Sequence, residues 1–228
     1  MRPGSPAFFR LTKPLLFVLA CVPALWALAG VFSLFGVSLG ANPIESLLDL
    51  FGVWSLRFLL LTLAITPLRN WTRRVWLLAY RRMLGLFAFF YASLHLLTYA
   101  VLDHRLALAP MLEDVLKRPF ITVGALAVLL MLPLAITSTR GWMKRLGKRW
   151  QGLHRLVYPV AILGVWHYYW QVKLDTYEPT VYAAILFILL AERWRMRRKR
   201  LRRQADRRAA EGDEQVLGRS VDRSGARA

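Results

Sequence analysis

Three of the four histidines in this 228-residue chain stand inside apolar runs, and those runs are where its chemistry is to be sought. His154 and His167 share the stretch WQGLHRLVYPVAILGVWHYYW (150–170), and His95 lies in LGLFAFFYASLHLLTYAV (84–101) with nothing ionisable beside it. A helix rises about 1.5 Å per residue, so His154 and His167 fall roughly 20 Å apart along one axis, at two depths of a membrane. An ionisable side chain in a span is costly and by default functional. Imidazole ligates haem iron, and facing helices of a bundle are where such sites are built.

The rest of the chain supplies the helices. It is 57% hydrophobic with a mean hydropathy of +0.38, too apolar for a soluble domain of this size. Six apolar segments, about 15–37, 50–66, 84–101, 120–137, 153–172 and 180–191, predict an all-α membrane protein of six transmembrane helices with haem bound inside the bundle. The first segment follows a basic N-terminus but is too long for the core of a cleaved signal peptide, and reads as a retained helix. The single cysteine, Cys21, excludes an internal disulfide, and no C-x-x-C-H is present, so haem would be held without a covalent link.

Lys and Arg alternate between the connections. Arg2, Arg10 and Lys13, then Arg69, Arg73, Arg74, Arg81 and Arg82, then Arg140, Lys144, Arg145, Lys148, Arg149 and Arg155 crowd one side. The other side holds Arg105, Lys117, Arg118 and Lys173 with seven acids from Glu45 to Glu178. The positive-inside rule then puts both termini in the cytoplasm. Residues 1–14 form a cytoplasmic N-terminus, 15–192 the bundle and 193–228 a basic cytoplasmic tail. The tail's RWRMRRKRLRRQADRR (193–208), directly after a span, is read as lying on anionic membrane lipid and not on nucleic acid. Past Ala209 the polar composition predicts disorder. The tail is too short for a flavin or nicotinamide domain, so hydride must be collected elsewhere.

A faint repeat ties the histidines together. LAITPLR (63–69) and LAITSTR (134–140) lie seventy-one residues apart, and His95 and His167 lie seventy-two apart. The third and fifth spans are therefore equivalent elements running outward, and both histidines fall roughly 7–10 Å short of the outer interface. Two imidazoles at one depth describe a bis-histidine b-type haem; a buried pair bonded to serine or carbonyl groups is the plainer alternative. Gly164, Ala92 and Ala88 leave room on the same faces. Arg57, at a similar depth in the second span, suits a haem propionate or the outer headgroups. His154 lies at the cytoplasmic edge beside Arg155, Arg149 and Lys148, about 140° around the helix from His167, with Pro159 between them able to change that phase. It suits a second, inner haem with a non-histidine partner, a flavin or quinone site, or a solvated interfacial position; the repeat sets it level with Arg82 or Met83. His104, between Asp103 and Arg105, is expected to be a dispensable surface residue.

WSLRFLLLTLAITPLR (54–69), FFYASLH (89–95) and LGKRWQGLHRLVYPVAILGVWHYYW (146–170) resemble the ferric-reductase-like transmembrane family and, within it, the MsrQ (YedZ) family; the likeness spans about 15–194. It implies a multi-pass protein of the bacterial inner membrane carrying haem b on His95, His154 and His167, one group or two, with FMN among its cofactors. Electrons would come from the quinone pool or a cytoplasmic flavin reductase and leave to a periplasmic molybdopterin methionine sulfoxide reductase, which repairs oxidised envelope proteins. NADPH oxidases share the fold but carry two histidines on the third helix and an attached dehydrogenase domain, neither of which this sequence has. The chain would thus be an electron-transfer subunit without a substrate site of its own. The alternative is a stand-alone transmembrane ferric or metal reductase, which needs acidic or methionine ligands outside; the outer connections offer acids but only Met111. A non-redox transporter or assembly factor is the remaining rival.

Overall fold

The computed structural model describes residues 3–172 and 176–225, and every regular element among them is helical. Lys173, one of the few outer cations, lies outside the described residues. Helix α1 (Pro6–Val31) starts where Ser5 accepts a hydrogen bond from Phe8 N and Pro6 takes a position that needs no donor. It stops at Val31 and not at the expected 37, because Ser33, Phe35 and Gly36 take positive φ, which no right-handed helix accommodates. Helix α2 (Pro43–Thr72) is capped by Asn42, with Glu45 in its first turn. A short 3-10 turn leads into α3 (Leu78–Leu97), which continues as a π turn, Thr98–Asp103. Then come α4 (Leu108–Lys117), α5 (Pro119–Ile136), α6 (Arg140–Leu146) and α7 (Lys148–Leu153). A 3-10 turn, His154–Leu156, precedes α8 (Val157–Gln171), and α9 runs from Tyr177 to Gly225.

The 3-10 turn before α8 has a local cause. Pro159 cannot donate to the carbonyl of Arg155 and its ring crowds that oxygen, so the preceding turn tightens. The helical backbone of α9 extends past Ala209 to Gly225, through a stretch in which Arg, Ala, Glu and Gln are good helix formers.

Among the described residues, four stretches are long and apolar enough to cross a membrane: Pro6–Val31, Pro43–Thr72, Val75–Asp103 and Pro119–Ile136. The fifth and sixth expected spans are helical too, but α8 alone has 15 residues, and the apolar start of α9 gives way to arginines. Large aliphatic side chains lie exposed along α1 and α5, among them Leu15, Leu19, Leu25, Leu126 and Leu129, as lipid-facing surfaces require. The chain is a multi-pass membrane protein.

The chain divides into two units, Met1–Leu186 and Phe187–Ala228. In the first unit α2 packs most extensively on α3, and α5 on α8; contacts of α3 with α5 and of α2 with α8 join the two pairs into a four-helix core. Helix α1 leans on α2 and α3 through Tyr91, whose ring is fully buried and stacked on Phe58 at 5.5 Å. The Tyr91 hydroxyl donates to Ala20 O at 2.6 Å and accepts from Ala24 N at 3.2 Å, so it joins both ends of one rung of α1 beside Pro23, where the helix already lacks a donor. Tyr91→Phe keeps the stack and removes the bridge. Thermal unfolding in detergent should show a loss of about 1–3 kcal/mol; an unchanged midpoint would mean that α1 is held by packing alone.

Candidate functional site

His95 on α3 and His167 on α8 come from the two different helix pairs and meet in the core. Their ring centroids are 6.1 Å apart and their planes stand at 85°. Each ring leans on the other helix of its own pair: His95 Nδ1 donates to Leu48 O on α2 at 2.9 Å, and His167 Nδ1 to Phe120 O on α5 at 2.7 Å. In both cases the carbonyl lies 47 residues before the histidine, so the seventy-two-residue repeat that links the histidines also links the carbonyls. A carbonyl only accepts, so in each neutral ring Nδ1 carries the proton and Nε2 keeps its lone pair.

That pairing fits haem iron. With metal–imidazole bonds of about 2.0–2.1 Å and a ring nitrogen about 1.1 Å from its centroid, two imidazoles on one iron have centroids roughly 6 Å apart. The observed separation agrees, and the free nitrogen is the one a ligand needs. No group of three or more His, Cys, Asp and Glu able to hold a metal ion occurs among the described residues. A site of two protein ligands suits a macrocycle that brings the other four itself.

Arg57 is not brought to this pair. Nine positions after Leu48, it points about 180° around α2 from the face that meets His95. Its Nε donates to Tyr182 Oη at 2.8 Å, and its guanidinium lies 4.9 Å from the Trp54 ring.

His154 occupies the other end of the core. Its ring stacks on Trp150 with centroids 4.0 Å apart, and Nε2 lies 3.1 Å from Thr137 Oγ1. Trp150 Nε1 in turn donates to Thr137 O at 3.0 Å. His154 therefore has fixed partners and does not stand in bulk solvent. It lines a cavity of about 210 Å³ together with Leu59, Thr62, Arg82, Gly85 and Met131. The position that the repeat sets opposite His154 is thus Arg82, in the same chamber.

The expectation for His104 is corrected. Its side chain is only 14% exposed, Nε2 lies 3.2 Å from Asp114 Oδ2, and its ring sits 4.4 Å from that of Tyr99. Arg118 Nε approaches the other Asp114 oxygen at 3.3 Å. The π turn and the left-handed Arg105 and Leu106 fold the connection back, so that His104 clasps α4 to the end of α3. Its polar neighbours in sequence carry no sign of this. The carbonyls of Leu48 and Phe120 were also missed, although extending the repeat from the histidines into the partner helices would have paired them.

Known proteins resemble the chain closely. Residues 51–165 match the family described as ferric reductase like transmembrane component. A protein of Xanthomonas euvesicatoria named protein-methionine-sulfoxide reductase heme-binding subunit MsrQ is 53% identical over 162 residues, covering 71% of this chain and 73% of the relative. A protein of the same name from Herminiimonas arsenicoxydans is 50% identical over 204 residues, covering 86% and 91%. No solved structure matches.

The clasp yields a test. His104→Ala should cost about 1 kcal/mol of stability and expose the bond after Arg105 to trypsin. Unchanged cleavage and an unchanged thermal midpoint would show that α4 is held without it.

Proposed function

This chain belongs to the MsrQ family, and on that premise we propose that it is a haem b electron-transfer subunit of the bacterial inner membrane, serving a separate periplasmic molybdopterin methionine sulfoxide reductase. The observation that carries the proposal is the pair His95 and His167, set at the separation that one iron requires, with Nε2 of each ring unprotonated. Bound haem supplies a one-electron carrier. His95 and His167 would hold it, with both imidazole tautomers fixed through the Leu48 and Phe120 carbonyls. The same premise gives the chain's relatives' named role, the heme-binding subunit of a methionine sulfoxide reductase, to this chain.

Six spans with both termini inside follow from the distribution of Lys and Arg and put the histidine pair in the outer half of the bilayer. Electrons then come in at the basic face and leave outside. The His154 chamber is the inner station of that route. There His154 and Arg82 would meet the electron donor, quinol or a cytoplasmic flavin reductase, or line a site for FMN or a second haem. The arginines from 193 to 208 rest on anionic lipid, and Arg198 already lies 3.5 Å over the Trp194 ring, an arrangement common at interfaces.

His95→Ala and His167→Ala should each abolish the low-spin bis-imidazole absorbance, because either leaves iron with one protein ligand. A wild-type spectrum in either variant would remove the pair from the ligand set. For His154→Ala we expect at least part of the outer haem's spectrum to persist, its reduction by quinol or reduced flavin to slow, and reduction by dithionite to remain complete. Equal rates with every donor would leave His154 without a role in electron transfer.

A further inference from the structure

Each imidazole of the pair lies where a side chain ought to be. On α2 the residue four positions after Leu48 is Gly52, and on α5 the residue four positions after Phe120 is Gly124. A Cβ built on Gly52 would sit 3.2 Å from His95 Nδ1 and 3.3 Å from Cε1. One built on Gly124 would sit 2.8 Å from both Nδ1 and Cε1 of His167 and 3.2 Å from Cγ. The two glycines are seventy-two residues apart, in step with the carbonyls and the histidines.

In an α-helix the carbonyl of residue i accepts from the N–H of residue i+4, so the oxygens of Leu48 and Phe120 already serve the amides of these same glycines. A second donor reaches such an oxygen only from the side, over the helix surface at position i+4. Any Cβ there stands in its path. Glycine inside a helix costs about 1 kcal/mol relative to alanine, so two at equivalent mid-helix positions call for a local reason. The approach of the rings supplies one.

We propose that Gly52 and Gly124 are positioning residues for the haem ligands: glycine, the carbonyl four residues before it and a histidine from the packed helix form one unit, used twice. The unit does three things at once. It fixes Nδ1 as the protonated nitrogen, sets the rotation of the ring, and through the N–H···O=C bond strengthens the imidazole as a donor to iron. A stronger donor favours ferric over ferrous iron, so the unit also holds the reduction potential down. The two copies are unequal. Gly124 admits no Cβ without displacing His167, whereas His95 needs to yield only a few tenths of an ångström at Gly52.

This inference rests on the bis-histidine reading, and one set of measurements separates the two. The full chain and its Gly52→Ala, Gly124→Ala and Gly141→Ala variants are purified in detergent. Haem stoichiometry, the electron paramagnetic resonance of the oxidised form and the midpoint potential are then compared. Imidazole planes at 85° should give the parent the strongly anisotropic low-field signal of crossed ligands. In Gly124→Ala the affinity for haem should fall roughly 10–100-fold, the usual cost of losing a partner of a metal ligand, with the remaining signal shifted towards a rhombic form. Gly52→Ala should keep its haem and show a more positive midpoint potential, which makes it the deciding variant if Gly124→Ala fails to accumulate. Gly141, whose added Cβ would meet nothing within 4 Å, reports the effect of alanine in a helix alone. A parent with the bis-imidazole signature and glycine variants that match it in all three measurements would overturn the inference and leave the haem reading intact. A parent without that signature would overturn both.

Discussion

One hydrogen bond, made twice, organises this molecule: an imidazole N–H given to a helix carbonyl that already has a partner. It sets which nitrogen of His95 and His167 is free, and it binds α3 to α2 and α8 to α5 at the depth where the two pairs meet. The most extensive helix contacts in the core are those same two pairs. The two halves then confront each other through the rings, whose centroids lie 6.1 Å apart. In a lipid-exposed bundle, where burial of apolar surface does not by itself draw helices together, such polar cross-links carry more of the specificity than they would in water.

Much of this was legible in the chain. The apolar segments announced helices because a membrane demands long uncharged runs, and the repeat of LAITPLR as LAITSTR announced equivalent halves because a duplicated element keeps its phase. From the repeat the level placement of His95 and His167 followed by counting. What could not be counted were features that depend on a neighbour. His104 reads as solvated because its flanks are Asp103 and Arg105, yet a π turn and two left-handed residues carry it to Asp114. The direction of Arg57 depends on which side of α2 its neighbours occupy, and hydropathy holds no record of that. The end of α1 at Val31 turns on the positive φ of Ser33 and Phe35, two residues with no strong preference for it.

The two ends of the core show how a duplicated scaffold comes to do different things. At the histidine end the copies agree residue for residue: histidine with histidine, carbonyl with carbonyl, glycine with glycine. At the opposite end they diverge, with Arg82 lining the chamber in one copy and His154 in the other. A bonded Thr137 and a stacked Trp150 fix His154 there; the other copy repeats the threonine as Thr66 but sets Leu78 where Trp150 stands. Pro159 belongs only to the second copy as well, and with it the tightened turn that carries His154.

Helix α3 continues into a π turn, whereas α8 gives way at Val172 to an extended residue. Two equal halves around a central carrier would present the outside with twin rims, and anything arriving could settle in either of two poses. The bulge and the α4 segment it anchors, with Leu108 and Leu116 about three-quarters exposed, mark the rim at the end of α3. A partner that reads this marked rim would tell one half of the repeat from the other.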